Sequence, residues 1–295
     1  MKLALGTVQF GMPYGIANGT GQPNEAVVAS ILEKAMAAGV AVLDTASLYG
    51  EAEAVLGRCL PASHTFRIIT KTPKFAGVDG ATAADRLEAA FDISCTKLRT
   101  VGVAGLMAHD ADDLIGPSGD AIWRRMTELR DAGQVARIGA SVYSGRQIDA
   151  LLDRYQPDLV QLPLSILDQR LIEGGHLERL AARCVEVHSR SAFLQGALLM
   201  GPDRLPAHLR ALGPALEEIA GEAQALGSDP MTLALKFVAG LDAVSAVVCG
   251  VDSLSQFEQL VQAISRPDVA LLPDRAAALA CSDPLLLDPS RWNRS

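Results

Sequence analysis

Apolar residues along the chain fall into two recurring patterns: short unbroken runs, and longer stretches in which they return every three or four positions. The short runs begin near Leu3, Val40, Arg67, Val101, Ala136, Leu159, Cys184 and Ala243. They do not alternate with polar residues as half-solvated strands would, so they predict strands buried on both faces. The periodic stretches lie between them and predict helices over Glu25 to Ala38, Glu51 to Cys59, Ala83 to Leu98, Asp120 to Ala132, Gly145 to Arg154, Leu177 to Arg183 and Ser253 to Ile264. Successive strand starts are mostly about 23 to 37 residues apart, the length of one βα unit.

Eight strands alternating with helices make one continuous parallel sheet, and its economical closure is a single (β/α)8 TIM barrel. The seventh interval, about 59 residues, has room for two helices, Ala207 to Leu226 and Pro230 to about Ala239, so an extra helix precedes the eighth strand. Residues 1–295 thus read as one domain, with a core over about 3–265 and a C-terminal appendage over about 271–295. The rival is a doubly wound open sheet with a glycine-rich dinucleotide turn. Its nearest candidate, Gly11 to Gly21, is too long for that turn and has prolines about it.

Composition narrows the classes. An apolar content of 49% supplies a large core, and 26 basic against 34 acidic residues give a net charge of −8, which argues against a nucleic-acid or anionic-membrane surface. Cys59, Cys95, Cys184, Cys249 and Cys281 are scattered, with no paired spacing for a metal site or redox couple, and read as small apolar residues. The N-terminal apolar run breaks at Gly6, too soon for a signal peptide, and no stretch is long enough to span a bilayer, so a cytoplasmic protein is expected.

Three of the apolar runs stop on reactive side chains. Val40 to Leu43 ends at Asp44, Arg67 to Thr70 at Lys71, and Val103 to Ala108 at His109, while Tyr49 follows Asp44 by five positions. In a parallel barrel these ends share one rim, where catalytic groups are found. Plainer roles fit each residue singly: Asp44 or Ser47 as a helix cap, His109 as a structural hydrogen-bonding histidine, Tyr49 as packing. Lys71 fits a plain role less well, since an ammonium behind Ile68-Ile69-Thr70 needs a counter-ion, which Asp44 can supply. A lysine held cationic beside a phenol stabilises the phenolate, so a lowered Tyr49 pKa is expected.

Asp44-Thr45-Ala46, then Tyr49-Gly50, Glu53 and Leu56-Gly57, with Lys71 and His109 on the next two strand ends, resemble the aldo-keto reductase superfamily over about residues 3 to 265. The resemblance implies a catalytic tetrad of Asp44, Tyr49, Lys71 and His109 acting on a small-molecule carbonyl substrate with a nicotinamide cofactor, without a metal. It further implies that Ser141 and Gln161 hold the nicotinamide carboxamide, Val142 standing where many relatives have asparagine. Arg190 falls where an aromatic ring often stacks, and can stack or grip a pyrophosphate or acidic substrate. Gly250, Ser253 and Gln256 fall at the adenosine phosphate end. The cofactor implied is NADPH; Asp252 would repel a 2′-phosphate and keeps NADH open.

Gln9, Phe10, Phe75, Phe193 and Trp292 are expected to wall the pocket, and with only 4% aromatic residues a small polar carbonyl compound or sugar suits it better than a polycyclic. A monomer or weak homo-oligomer is expected. Two alternatives stay open from the sequence: a nicotinamide-binding sensor barrel of the potassium-channel β-subunit kind, and a lyase or isomerase using Lys71 as a Schiff-base amine.

Overall fold

The computed structural model describes residues 1–19 and 21–292. Its eight strands are β1 (Leu3–Gly6), β2 (Val42–Asp44), β3 (Arg67–Lys71), β4 (Gly105–Ala108), β5 (Ile138–Ser141), β6 (Leu159–Pro163), β7 (Glu186–Arg190) and β8 (Val244–Gly250). All neighbours are parallel, and β8 pairs with β1 through Leu3 opposite Val247 and Gly6 opposite Gly250, which closes the barrel.

The unbroken apolar runs are explained by which way alternate residues face. Leu5, Leu43, Ile68, Leu106, Ala140, Val160, Val187 and Val247 belong to the large core shared with the helices. Ala4, Val42, Ile69, Met107, Leu159 and Ala246 form a separate cluster that fills the barrel lumen. Beyond that plug, Glu186 at the start of β7 is paired with Arg67 and Arg137 and accepts from His188 Nε2, 2.9 Å away, in the tautomer that carries its proton there. With both faces of each strand buried, the Asp, Glu, Lys and Arg side chains of the strands, Asp44, Arg67, Lys71, Glu186 and Arg190, stand at strand ends, while Thr70, Gln161, His188 and Ser189 are buried within them.

Five helices around the barrel begin at side-chain caps that accept a backbone N–H: Asn24 for Glu25–Ala37, Asp79 for Gly80–Leu98, Ser144 for Gly145–Arg154, Asp229 for Pro230–Gly240 and Ser253 for Leu254–Ser265. Of the two helices before β8, Pro230–Gly240 is the one that belongs to the barrel, because its Leu235 and Val238 enter the main core. Gly213–Ala225 is the addition. Its Leu216, Ile219 and Ala223 pack in a second cluster with Leu279, Leu287 and Trp292 of the C-terminal segment. The stretch expected as one helix over Ala207 to Leu226 is divided into a 3-10 turn, Ala207–Leu212, and the helix from Gly213, since Pro214 fits only the first turn of a helix.

Two strands start later than their apolar runs suggest. Val101 is 94% exposed and lies in the connection before β4, with Val103 making only an isolated bridge to Val135. Cys184 has a φ of 55°, which an extended strand cannot contain, so β7 begins at Glu186. No helix among the described residues is long and apolar enough to cross a membrane.

Candidate active site

Nearly every strand delivers a polar side chain to the same rim. Asp44, Lys71, Ser141 and Arg190 are the last residues of β2, β3, β5 and β7, Gly250 is the last of β8, and His109 directly follows β4. Gln161 projects from the middle of β6. Because the strands are parallel, these carboxyl ends converge.

Tyr49 reaches the rim from the loop after β2, which is fastened at several points. Ser47 donates to the Lys71 carbonyl from its amide (3.3 Å) and its hydroxyl (3.0 Å), and Tyr49 N donates to Ala46 O at 3.0 Å. Gly50, at φ 58°, lies against Gly11 of the loop after β1, where a Cβ would come within 1.9 Å of the Tyr49 carbonyl oxygen. The helix Ala52–Cys59 has Glu51 at its N-cap and no side-chain cap bond, so neither Asp44 nor Ser47 is used as a cap there. Buried Glu53 of that helix accepts from Thr70 Oγ1 at 2.6 Å, anchoring it beside Lys71.

At the centre, Lys71 Nζ donates to Asp44 Oδ1 (2.8 Å), Asp44 Oδ2 (2.7 Å) and the Thr45 carbonyl (2.9 Å), and stands 3.4 Å from the Tyr49 hydroxyl. Lys71 is 1% exposed and Asp44 3%, so this is a buried ion pair satisfied by further hydrogen bonds. His109 meets the Tyr49 ring edge-on, centroids 5.7 Å apart. Gln161 Nε2 donates to Asp44 Oδ1 at 2.7 Å, a role its position in the sequence did not reveal.

The electrostatics differ from expectation at the phenol. Burial, and after it the Asp44 carboxylate, raise the Tyr49 pKa well above its ordinary value, where a lowering by Lys71 was expected. The physical reason is that Asp44 holds the ammonium in a nearly neutral pair, leaving Tyr49 beside a dipole in a water-poor site. Burial also lowers the Lys71 pKa against the opposing pull of Asp44. Burial and then the Lys71 charge depress His109 to about 4, so its imidazole is neutral at neutral pH.

These groups open on a cavity of about 550 Å³ that also touches Ser141, Gln161, Arg190, Gly250 and Gln256. An Aldo/keto reductase family model matches residues 2–270. The chain belongs to that family. Uncharacterized oxidoreductases of Mycobacterium bovis and Mycobacterium tuberculosis are 28% identical over alignments covering 94% of this chain and 88% of theirs. Among solved structures, the aldo-keto reductase AKR11C1 of Bacillus halodurans in its holo form superposes with a TM-score of 0.76 at 22% identity, covering 99% of this chain and 95% of that one. A Pseudomonas aeruginosa protein of the same class gives 0.65 at 18% identity, covering 90% and 89%. The protein is therefore an oxidoreductase of aldo-keto reductase fold.

In this aldo-keto reductase the far end of the cavity is built by β8 and the helix after it. The Gln9 side-chain amide lies over Gly250, where a Cβ would come within 2.2 Å of Gln9 Oε1, and Gln9 Oε1 is itself a buried acceptor with no partner. Ser253 Oγ caps the helix by accepting from Gln256 N at 3.3 Å, and Ser253 does not line the cavity. Gln256 does, with its side-chain oxygen turned to the Asp252 amide at 3.0 Å. Val142 is fully buried and offers the site only its carbonyl, which accepts from Arg190 Nη2 at 3.0 Å.

The expected aromatic wall is placed differently. Gln9 and Phe193 line the cavity, but Phe10 and Phe75 are buried in the main core and Trp292 packs in the second cluster near His208. Tyr14 and Tyr143 are the aromatic residues that take their place. Loop side chains carry no periodicity from which their direction could be read.

Proposed function

We propose that the chain is an NAD(P)H-dependent carbonyl reductase, interconverting an aldehyde or ketone and its alcohol, with Tyr49 as the acid and base. The observation that carries this reading is the reach of Lys71 Nζ to both the Asp44 carboxylate and the Tyr49 hydroxyl.

The residues present fit a nicotinamide dinucleotide. The unpartnered Gln9 oxygen, the Gly250 backbone and the N-terminus of the helix Leu254–Ser265, with its outward amides, suit a polar and phosphate-bearing ligand. Ser141 and Gln161 would hold its nicotinamide end and Gly250, Ser253 and Gln256 its adenosine end, with Ser253 acting through the cap it makes. The cofactor, when bound, supplies the hydride.

The chain's own residues handle the proton and the geometry. With its pKa raised, Tyr49 is a neutral phenol at any working pH and can donate to the oxygen of the reduced carbonyl. The ammonium 3.4 Å away stabilises the phenolate that donation leaves behind. Asp44 and the Thr45 carbonyl fix the ammonium's direction, and Gln161 fixes Asp44. His109, kept neutral, can donate a hydrogen bond that orients the substrate oxygen against Tyr49.

The test is consumption of NADPH and NADH with a panel of small aldehydes, for wild type and Tyr49→Phe. Loss of the proton donor is expected to cut kcat by about 10²- to 10⁴-fold, with the dinucleotide Kd little changed. Wild-type levels of turnover in Tyr49→Phe would remove Tyr49 from the chemistry. Tight dinucleotide binding with no turnover on any aldehyde would point to a sensor.

A further inference from the structure

Three cationic or potentially cationic side chains line the cavity among the described residues: Lys71, His109 and Arg190. Lys71 is matched by Asp44, and His109 is neutral at neutral pH. Arg190 is different. Its guanidinium is held by neutral groups alone, Nη2 donating to the Val142 carbonyl (3.0 Å) and Nη1 to Ser191 Oγ (3.3 Å), with Cζ 4.1 Å from the centre of the Tyr143 ring. No carboxylate among the described residues is within ion-pair distance of it.

A half-buried charge without a counter-ion is costly, and a ligand anion is what offsets it. A guanidinium has five N–H donors in a fixed plane, and two of these are used by Val142 and Ser191, so a flat edge remains for a carboxylate or phosphate. The stacked ring and the two hydrogen bonds hold that edge in one orientation before any ligand arrives.

The segment that follows holds three residues in left-handed backbone conformations. They are Ser191 (φ 66°), Leu194 (φ 46°) and Gln195 (φ 55°), and none is glycine. They turn the chain along the cavity, where Ser191 and Gln195 are exposed to its interior and Gln195 Nε2 donates to the Tyr14 hydroxyl at 3.0 Å. Arg190 ends β7 at the rim where Asp44 and Lys71 end their strands, and it lines the same cavity as Tyr49, Lys71 and His109.

Resting on the reductase reading above, we infer that the substrate is an anionic carbonyl compound whose carboxylate or phosphate is held by Arg190 while its carbonyl faces Tyr49 and His109. The pyrophosphate of the dinucleotide has related chemistry. The helix N-terminus after β8 already offers amides to phosphate, whereas Arg190 comes from the end of β7 and is held against Val142 and Tyr143, which follow β5.

The experiment compares kcat/KM for para-carboxybenzaldehyde and benzaldehyde in wild type, Arg190→Gln and Arg190→Lys, with the dinucleotide Kd of each protein measured by fluorescence without substrate. Wild type should favour the carboxylated aldehyde. The preference ratio should fall about 10- to 100-fold in Arg190→Gln and recover in part in Arg190→Lys, since charge without the planar fork restores some of the interaction. A ratio that does not change while the dinucleotide Kd weakens by a similar factor would assign Arg190 to the pyrophosphate and overturn the inference. Equal efficiency on both aldehydes in wild type would also overturn it, even if Arg190→Gln failed to fold, and would leave the reductase reading intact. Calorimetry of the cofactor-free protein with benzoate and benzamide separates the remaining case: binding of benzoate alone, weakened in Arg190→Lys and abolished in Arg190→Gln, together with no turnover of any aldehyde, would keep the anion site and sink the reductase reading.

Discussion

Replacing Lys71 with methionine probes the ion pair at the base of the site. Methionine matches the lysine stem closely and carries no charge. The change deletes the bonds of 2.8, 2.7 and 2.9 Å to the two Asp44 oxygens and the Thr45 carbonyl, and strands a carboxylate that is 3% exposed with Gln161 as its remaining donor. Removing one member of a buried pair costs about 3–5 kcal/mol, because the other charge is left without compensation. For a large domain, at roughly 2–4 °C per kcal/mol, the melting temperature should drop by roughly 6–20 °C. Asp44→Asn/Lys71→Met strands no charge and keeps an acceptor for Gln161, so it should recover all but about 1 kcal/mol. Neither protein should regain turnover, since the phenolate has lost its cation. Thermal melts of wild type, both single variants and the double variant, read beside NADPH consumption, close the cycle. A Lys71→Met protein melting with wild type, or a double variant no more stable than the single one, would mean that the pair is not charged in the folded protein.

The remaining expectations concern the loop, the lumen and the cofactor end. Gly11→Ala puts a methyl within 1.9 Å of the Tyr49 carbonyl oxygen and 2.3 Å of Ala52 N, both backbone atoms that cannot rotate away. It should cost about 1–3 kcal/mol in a denaturant titration and, by displacing Tyr49, lower kcat by about 100-fold with the dinucleotide Kd preserved. His188, fully buried, has its pKa lowered to about 4 by burial, from an ordinary 6.5. The unfolded chain therefore binds the extra proton first as pH falls, so the contribution is fully present above pH 6.5 and is lost progressively down to about 4, amounting to about 3 kcal/mol. Melting temperatures of wild type and His188→Gln across that range should converge toward the acid end; parallel curves would refute it. Asp252→Ala removes a negative charge from the cavity and should raise the preference for NADPH over NADH by roughly two- to fivefold in the ratio of Kd values, a shift that added salt diminishes.

The sequence disclosed the residues whose placement follows from strand periodicity. Asp44, Lys71 and His109 were legible because each ends an apolar run, and a parallel sheet carries such ends to one rim. Boundaries failed where a local conformation overrides hydrophobicity, as at exposed Val101 and left-handed Cys184. Directions of loop side chains were not legible: Phe10 and Phe75 turn into the core, while Tyr14 and Tyr143 reach the cavity. The contact of Gly11 with Gly50 joins two loops far apart in sequence, and the only trace of it was a glycine in each. Gln161 drew notice as a ligand for the cofactor, yet its bond to Asp44 requires knowing that β6 and β2 face each other across the lumen.

The phenol shows how composition of a site can mislead about its sign. Lysine beside tyrosine suggests an acidified phenol, and the neighbourhood is as expected, with 3.4 Å between Nζ and the hydroxyl. What decides the direction is the third member. Asp44 cancels the ammonium's field at a distance while leaving its hydrogen-bonding edge toward Tyr49, so in the resting site burial dominates and the proton stays on. The cation then acts mainly once negative charge appears on the phenol, which is a selective stabilisation of the state after proton donation. On the proposed role of Tyr49, a reductase built this way would have its proton donor loaded across neutral and mildly alkaline pH, and its rate of carbonyl reduction should stay level there, with any alkaline loss arising from Lys71, whose pKa burial lowers. A wild-type rate that instead falls across neutral pH, together with phenolate absorbance that rises over the same range and is missing from Tyr49→Phe, would show the phenol itself titrating there and would reverse the assignment of which force prevails.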